Sequence, residues 1–202
     1  MNLAKENRVW QLSTGILAVC IIATLIIWYL LNPNLNIFQW LLWLHLPLLM
    51  LHEFEEYVFP GGFKEFFNRE SPLALSEPQS NVPLNNLMIF FINIGVWILI
   101  VIGALLVGVA PWFGAMMVVF ELVNIVGHCG LFQVRHRGYN PGLITATFLF
   151  IPYVAIFFWL SINRNFLTPA EYVISIVGGI ALALLLPIWS EASIKRFKAE
   201  SR

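Results

Sequence analysis

Six apolar runs, each about 20 residues long, leave this chain few folds to choose from. They cover about 11–31, 37–56, 85–108, 112–133, 142–161 and 171–190. A helix needs about 20 apolar residues to cross about 30 Å of hydrocarbon. In lipid, a helix also satisfies its own backbone groups. The runs predict an all-α polytopic membrane bundle of about six transmembrane helices, forming one integral-membrane domain over 1–202. Composition agrees, because 59% of the residues are hydrophobic and 11% charged, against about 25% charged in an average soluble domain. The first run is too long for a cleaved signal core and ends at no small-residue cleavage site, so it reads as a retained helix. Cys20 and Cys129 lie inside apolar runs, where cysteine packs as a small hydrophobe, and they imply no disulfide framework.

Punctuation fits these limits. Asn32-Pro33-Asn34 separates the first two runs, and Pro60-Gly61-Gly62 ends the second. Pro111, Pro141 and Pro169 fall at the first turns of the last three runs, with Asn140 placed to cap the fifth. Pro47 lies inside the second run, where it removes a backbone bond and predicts a kink. Lys5, Arg8, Lys64, Arg69, Arg135, Arg137, Lys195, Arg196, Lys198 and Arg202 all fall on one side of a six-span topology, and Arg164 alone on the other. The positive-inside rule then predicts both termini in the cytoplasm, in the plasma or inner membrane of a prokaryote. Residues 60–83 become a cytoplasmic loop. Within it, Phe63, Phe66 and Phe67 alternate with Lys64, Glu65, Asn68 and Arg69, as in a short interfacial helix or a loop dipping its aromatics into headgroups. Formal net charge is zero, so nothing points to nucleic acid, and no soluble partner is indicated. The bilayer is the expected partner, with a lipid or membrane-buried substrate.

Ionisable groups inside such runs are costly in lipid, so they mark candidate sites. At 3.6 residues per turn His45, His52 and Glu56 share one stripe of the second helix, with Glu55 beside it. Glu53 points elsewhere, toward headgroups or a cytoplasmic neighbour. Glu121, Asn124 and His128 form a matching stripe in the fourth helix. Both helices run in the same direction and carry these residues at similar depths, so the stripes are expected to meet level for level.

His52-x-x-Glu55-Glu56, then Asn124-x-x-x-His128, then Tyr139-Asn140-Pro141-Gly142, resembles the HXXEE family of small multi-pass membrane proteins of uncharacterised function. The resemblance implies a membrane enzyme, with a metal as one option. It makes His52, Glu55, Glu56, Asn124, His128, Tyr139 and Pro141 signature positions without assigned roles.

Several chemistries suit these residues. His52, Glu56 and His128 are candidate ligands for a divalent metal, with His45, Glu55 and Glu121 as further candidates. Three protein ligands plus water is the catalytic zinc arrangement; the carboxylates also admit a di-iron or manganese site. Glu55 or Glu56 is then a candidate general base, Asn124 a donor to a developing oxyanion, and Tyr139 a donor to a site residue or substrate. Glu121 is a candidate outer partner that orients His52 or His128. A metal-free alternative resembles the CAAX-type intramembrane glutamate proteases, with Pro60 standing where that family has an arginine. Ion or proton transport without covalent chemistry, and hydrogen-bonded helix contacts alone, are the remaining readings.

Overall fold

A computed structural model describes residues 3–32 and 34–201. Pro33 of the first connection and Arg202 of the terminal basic cluster lie outside the described residues. Helices α1 (Leu3–Leu31), α2 (Ile37–Tyr57), α4 (Asn86–Leu105), α5 (Pro111–His136), α6 (Leu143–Asn163) and α7 (Pro169–Glu200) are long and apolar enough to cross a membrane. The short α3 (Phe63–Glu70) lies between α2 and α4. No sheet forms among the described residues. The chain is an all-helical, multi-pass membrane protein.

Local signals set most helix starts. The Asn36 side chain accepts from the backbone N–H groups of Phe38 and Gln39, and Asn85 does the same for Leu87 and Met88. Pro111 occupies the first turn of α5. Thr168 and Glu171 form a reciprocal capping box at the start of α7. Helix α2 runs unbroken through Pro47. Helix α7 breaks at Leu184, where Pro187 has no N–H to offer the Ala183 carbonyl.

Packing orders the helices around α2 and α5. Helix α1 lies along α2, α4 packs on both α2 and α5, and α7 lies along α5. Small residues allow close approach, as expected where lipid supplies no hydrophobic drive between helices. A Cβ on Gly103 of α4 would stand 2.9 Å from the Gly114 Cα of α5. A Cβ on Gly179 of α7 would stand 2.6 Å from the Met116 carbonyl oxygen of α5. Helix α6 closes the remaining side of α2, where the Tyr153 hydroxyl donates to the Leu41 carbonyl at 3.1 Å. The main core joins α2, α4, α5 and α6 around Leu42, Met117, Phe150 and Phe157.

Two local expectations fail. The fifth run starts its helix at Leu143 rather than at Pro141, and Gly142 is the residue before it. Asn140 does not cap it; its side chain turns to His128 instead. Of the two readings of the loop aromatics, the short helix is the one that forms, as α3, with Phe63 and Phe67 buried against Phe132.

Candidate metal centre

The two polar stripes do meet level for level. His45 faces Glu121, His52 faces Asn124, and Glu56 faces His128, so α2 and α5 run parallel in register. The lower two levels converge. His52, Glu56 and His128 are 1, 5 and 2% exposed, and one ligating atom from each lies within 4.8 Å of the others. This buried trio is able to hold a metal ion.

The donor atoms of the trio are oriented from behind. The Asn140 amide N–H donates to the His128 carbonyl at 3.0 Å, which turns the amide oxygen toward His128 Nδ1 at 2.7 Å. Nδ1 therefore carries a proton, and the ring turns its Nε2 toward Glu56. On the other side, the Thr145 hydroxyl donates its one proton to Glu55 Oε2 at 2.6 Å. Its oxygen then accepts from His52 Nδ1, 2.8 Å away, and His52 Nε2 is turned toward Glu56 and Asn124. Fixing one ring nitrogen so that the other can ligate is the usual outer-shell device of histidine metal sites.

Both Nε2 atoms approach the same carboxylate oxygen. Glu56 Oε1 lies 3.3 Å from His128 Nε2 and 3.5 Å from His52 Nε2. A charged N–H···O bond would be shorter, about 2.7–2.9 Å. Two ligands about 2.05 Å from one tetrahedral ion stand about 3.3 Å apart. The three donor atoms thus stand farther apart than charged hydrogen bonds require, with all of them within 4.8 Å of one another, a spacing that a metal ion could bridge.

Packing holds the rings. Phe150 lies 4.7 Å from the His52 ring, while Phe63 and Phe132 lie 5.5 and 5.4 Å from that of His128. Gly142 fills the remaining side. A Cβ there would stand 2.7 Å from His52 Cε1 and 2.5 Å from His128 Cε1, and its φ of +99° suits glycine alone. His128 lies in a π-helical segment, Val126–Leu131, that packs against a second one, Ala146–Phe150, in α6. Such π-helical widenings recur at functional sites.

The other candidates are placed as follows. Glu55 accepts four hydrogen bonds, from the Tyr139 hydroxyl at 2.9 Å, Ile144 N–H at 3.1 Å, Thr145 N–H at 2.7 Å and the Thr145 hydroxyl. It thereby anchors the N-terminus of α6, a favourable place for a carboxylate. Burial, then the hydrogen bond to Glu55, raises the Tyr139 hydroxyl above the ordinary tyrosine range. Asn124 Nδ2 lies 3.3 Å from His52 Nε2 and donates to Glu121 Oε2 at 3.5 Å. Glu121 does not orient His128. Its Oε1 lies 3.2 Å from His45 Nε2 in a separate buried pair without good hydrogen-bond angles, one level away from the trio. His45 joins that pair rather than the metal trio. Glu53 is not at the headgroups. It is fully buried, and the Trp97 indole N–H of α4 lies 2.9 and 2.7 Å from its two oxygens.

Asn140 and Gly142 are the positions that sequence reasoning misassigned. Both sit in a turn whose local grammar already explains Asn, Pro and Gly. The one available signal is that this turn opens the helix carrying Thr145.

The family model described as a protein of unknown function with an HXXEE motif matches residues 43–157, more than half of the chain and every residue of the trio. No curated protein and no solved structure matches it.

Proposed function

The chain belongs to the HXXEE family, proteins of unknown function, and from that premise we propose that it is a membrane-embedded, metal-dependent hydrolase acting on a lipid-like or membrane-buried substrate. The observation that carries this reading is the convergence of two imidazole Nε2 atoms on one buried carboxylate oxygen, with both Nδ1 atoms tied down. His52, Glu56 and His128 would hold the ion, and zinc suits two imidazoles and one carboxylate best. When bound, the ion would supply Lewis acidity and lower the pKa of a water to about 7.

The chain's own groups do the rest. Asn140 and the Thr145–Glu55 pair hold protons on the two Nδ1 atoms, so each ring presents its Nε2 to the centre. If His52 Nε2 ligates the ion, the Asn124 amide, whose Nδ2 now lies 3.3 Å from it, would be released to donate to negative charge developing on an acyl oxygen. Glu55, with four donors around it, positions Thr145 and the start of α6 and is not free to act as a base. Buried walls exclude bulk water, which strengthens each of these interactions. The Lys and Arg distribution supports placing the centre toward the cytoplasmic leaflet.

Metal analysis of the purified protein tests the reading. One zinc per chain is expected, with loss in His52→Ala, His128→Ala and Glu56→Gln. Wild-type protein that stays metal-free after zinc loading would overturn it. The His45–Glu121 pair, linked to His52 through Asn124, favours ion or proton translocation as the second reading. That reading expects carboxylate-dependent flux in proteoliposomes and no covalent product.

A further inference from the structure

The trio opens on one side into a cavity of about 640 Å³, within the usual range of small-molecule sites. His52, Glu56, Asn124 and His128 stand at its inner end. Its remaining walls, from α2, α3, the connection after α3, α4, α5 and α7, are mostly apolar or aromatic, with Ser71 and Asn93 among them and no Lys or Arg. At the outer end, Phe91 of α4, Leu131 of α5, and Leu184 and Leu185 of α7 line it while being 56, 57, 49 and 54% exposed. All four lie in helices apolar enough to cross a membrane, so the cavity reaches the surface along apolar helix faces.

Two glycines shape the walls. Gly95 of α4 and Gly127 of α5 line the cavity, and a Cβ on either would meet nothing within 4 Å. Glycine is unfavourable inside a helix. Unlike Gly103 and Gly114, neither of these is required by a close helix approach. What they leave is room in the cavity.

We propose that this cavity is a hydrocarbon-chain pocket, entered sideways from the bilayer between α4 and the second half of α7. It holds the chain of an amphiphile whose uncharged polar group, an ester or amide, stands at His52, Glu56 and His128. A phosphate headgroup there would lose its hydration with no Arg or Lys to replace it. The polar-end assignment rests on the hydrolase reading; the chain pocket does not.

Photolabelling in proteoliposomes tests this. The probes are a monoacylglycerol with a diazirine in its acyl chain and the matching lysophosphatidic acid. The monoacylglycerol is expected to label peptides spanning 95–99, 123–131 and 180–189. Gly95→Leu and Gly127→Leu, on different helices, should each cut that labelling at least about tenfold, since room for each methylene is worth about fourfold in affinity. Both should keep their zinc. Glu56→Gln should lose zinc and keep the labelling. Equal labelling of the outer face of α1, insensitivity to both leucine variants, or equal labelling by the anionic probe would overturn the proposal. Directed labelling of a metal-free wild-type protein would overturn the hydrolase reading and leave the pocket standing.

Discussion

Gly142→Ala is the sharpest test of how the centre is held. The added Cβ would fall about 0.9 Å inside ordinary contact with His128 Cε1 and about 0.7 Å inside it with His52 Cε1, taking 3.4 Å as the near limit. The backbone cannot absorb this by a simple shift, because φ is +99°, where an L side chain costs about 1–3 kcal/mol. Both imidazoles must therefore move, by more than the roughly 0.5 Å that a functional geometry tolerates. Disturbing groups around ligands typically costs 10–100-fold in metal affinity, and displacing two ligands at once puts the expected loss at about 100-fold or more. Gly62→Ala is the control. Gly62 also has positive φ, +91°, but a Cβ there meets nothing within 4 Å. Gly142→Ala should lose more stability than Gly62→Ala on thermal unfolding in detergent, by the cost of the overlap, and only Gly142→Ala should lose zinc in competition with a chromophoric chelator. Wild-type zinc affinity in Gly142→Ala, or an equal loss in Gly62→Ala, would refute the claim that Gly142 keeps space for the rings.

Two further substitutions probe the groups behind the ligands. Thr145→Val keeps shape but removes the hydroxyl between His52 Nδ1 and Glu55, leaving a buried N–H unpartnered at a cost of about 1–3 kcal/mol. Zinc affinity should fall 10–100-fold, Thr145→Ser should restore it, and chelator titration reads both; a Val variant with unchanged affinity would remove Thr145 from the site. Tyr139→Phe deletes a donor to Glu55 that is 42% exposed, so the stability loss should stay near 1 kcal/mol or below. Because the folded Tyr139 pKa is raised, its contribution is complete below the unfolded value of about 10 and disappears as pH rises through the higher folded value. Unfolding midpoints of wild type and Tyr139→Phe should therefore differ at neutral pH and converge in strong alkali; a constant difference would place the effect elsewhere.

The sequence by itself determined the class, the number of spans and the pairing of the two stripes. Those conclusions follow from one-dimensional rules. About 20 apolar residues span a bilayer, and a charge inside such a run must turn from lipid. A period of 3.6 says which charges turn the same way. His52, Glu56, Asn124 and His128 were legible for that reason, down to their register on parallel helices.

The tertiary structure decided what each polar group faces. Glu53, Glu55 and Glu56 are separated by one or two residues, yet each residue turns the helix by about 100°. The three carboxylates thus reach three different neighbours: Trp97 of α4, the start of α6, and the histidines of the centre. Nothing within α2 says which helix stands on which side. Likewise, the turn at Asn140 and Gly142 reads as ordinary helix punctuation until α6 is set against α5, which puts that turn beside His128 and His52. A helix's period fixes the direction of a side chain, whereas the order of packing around it, a property of the whole bundle, fixes its partner.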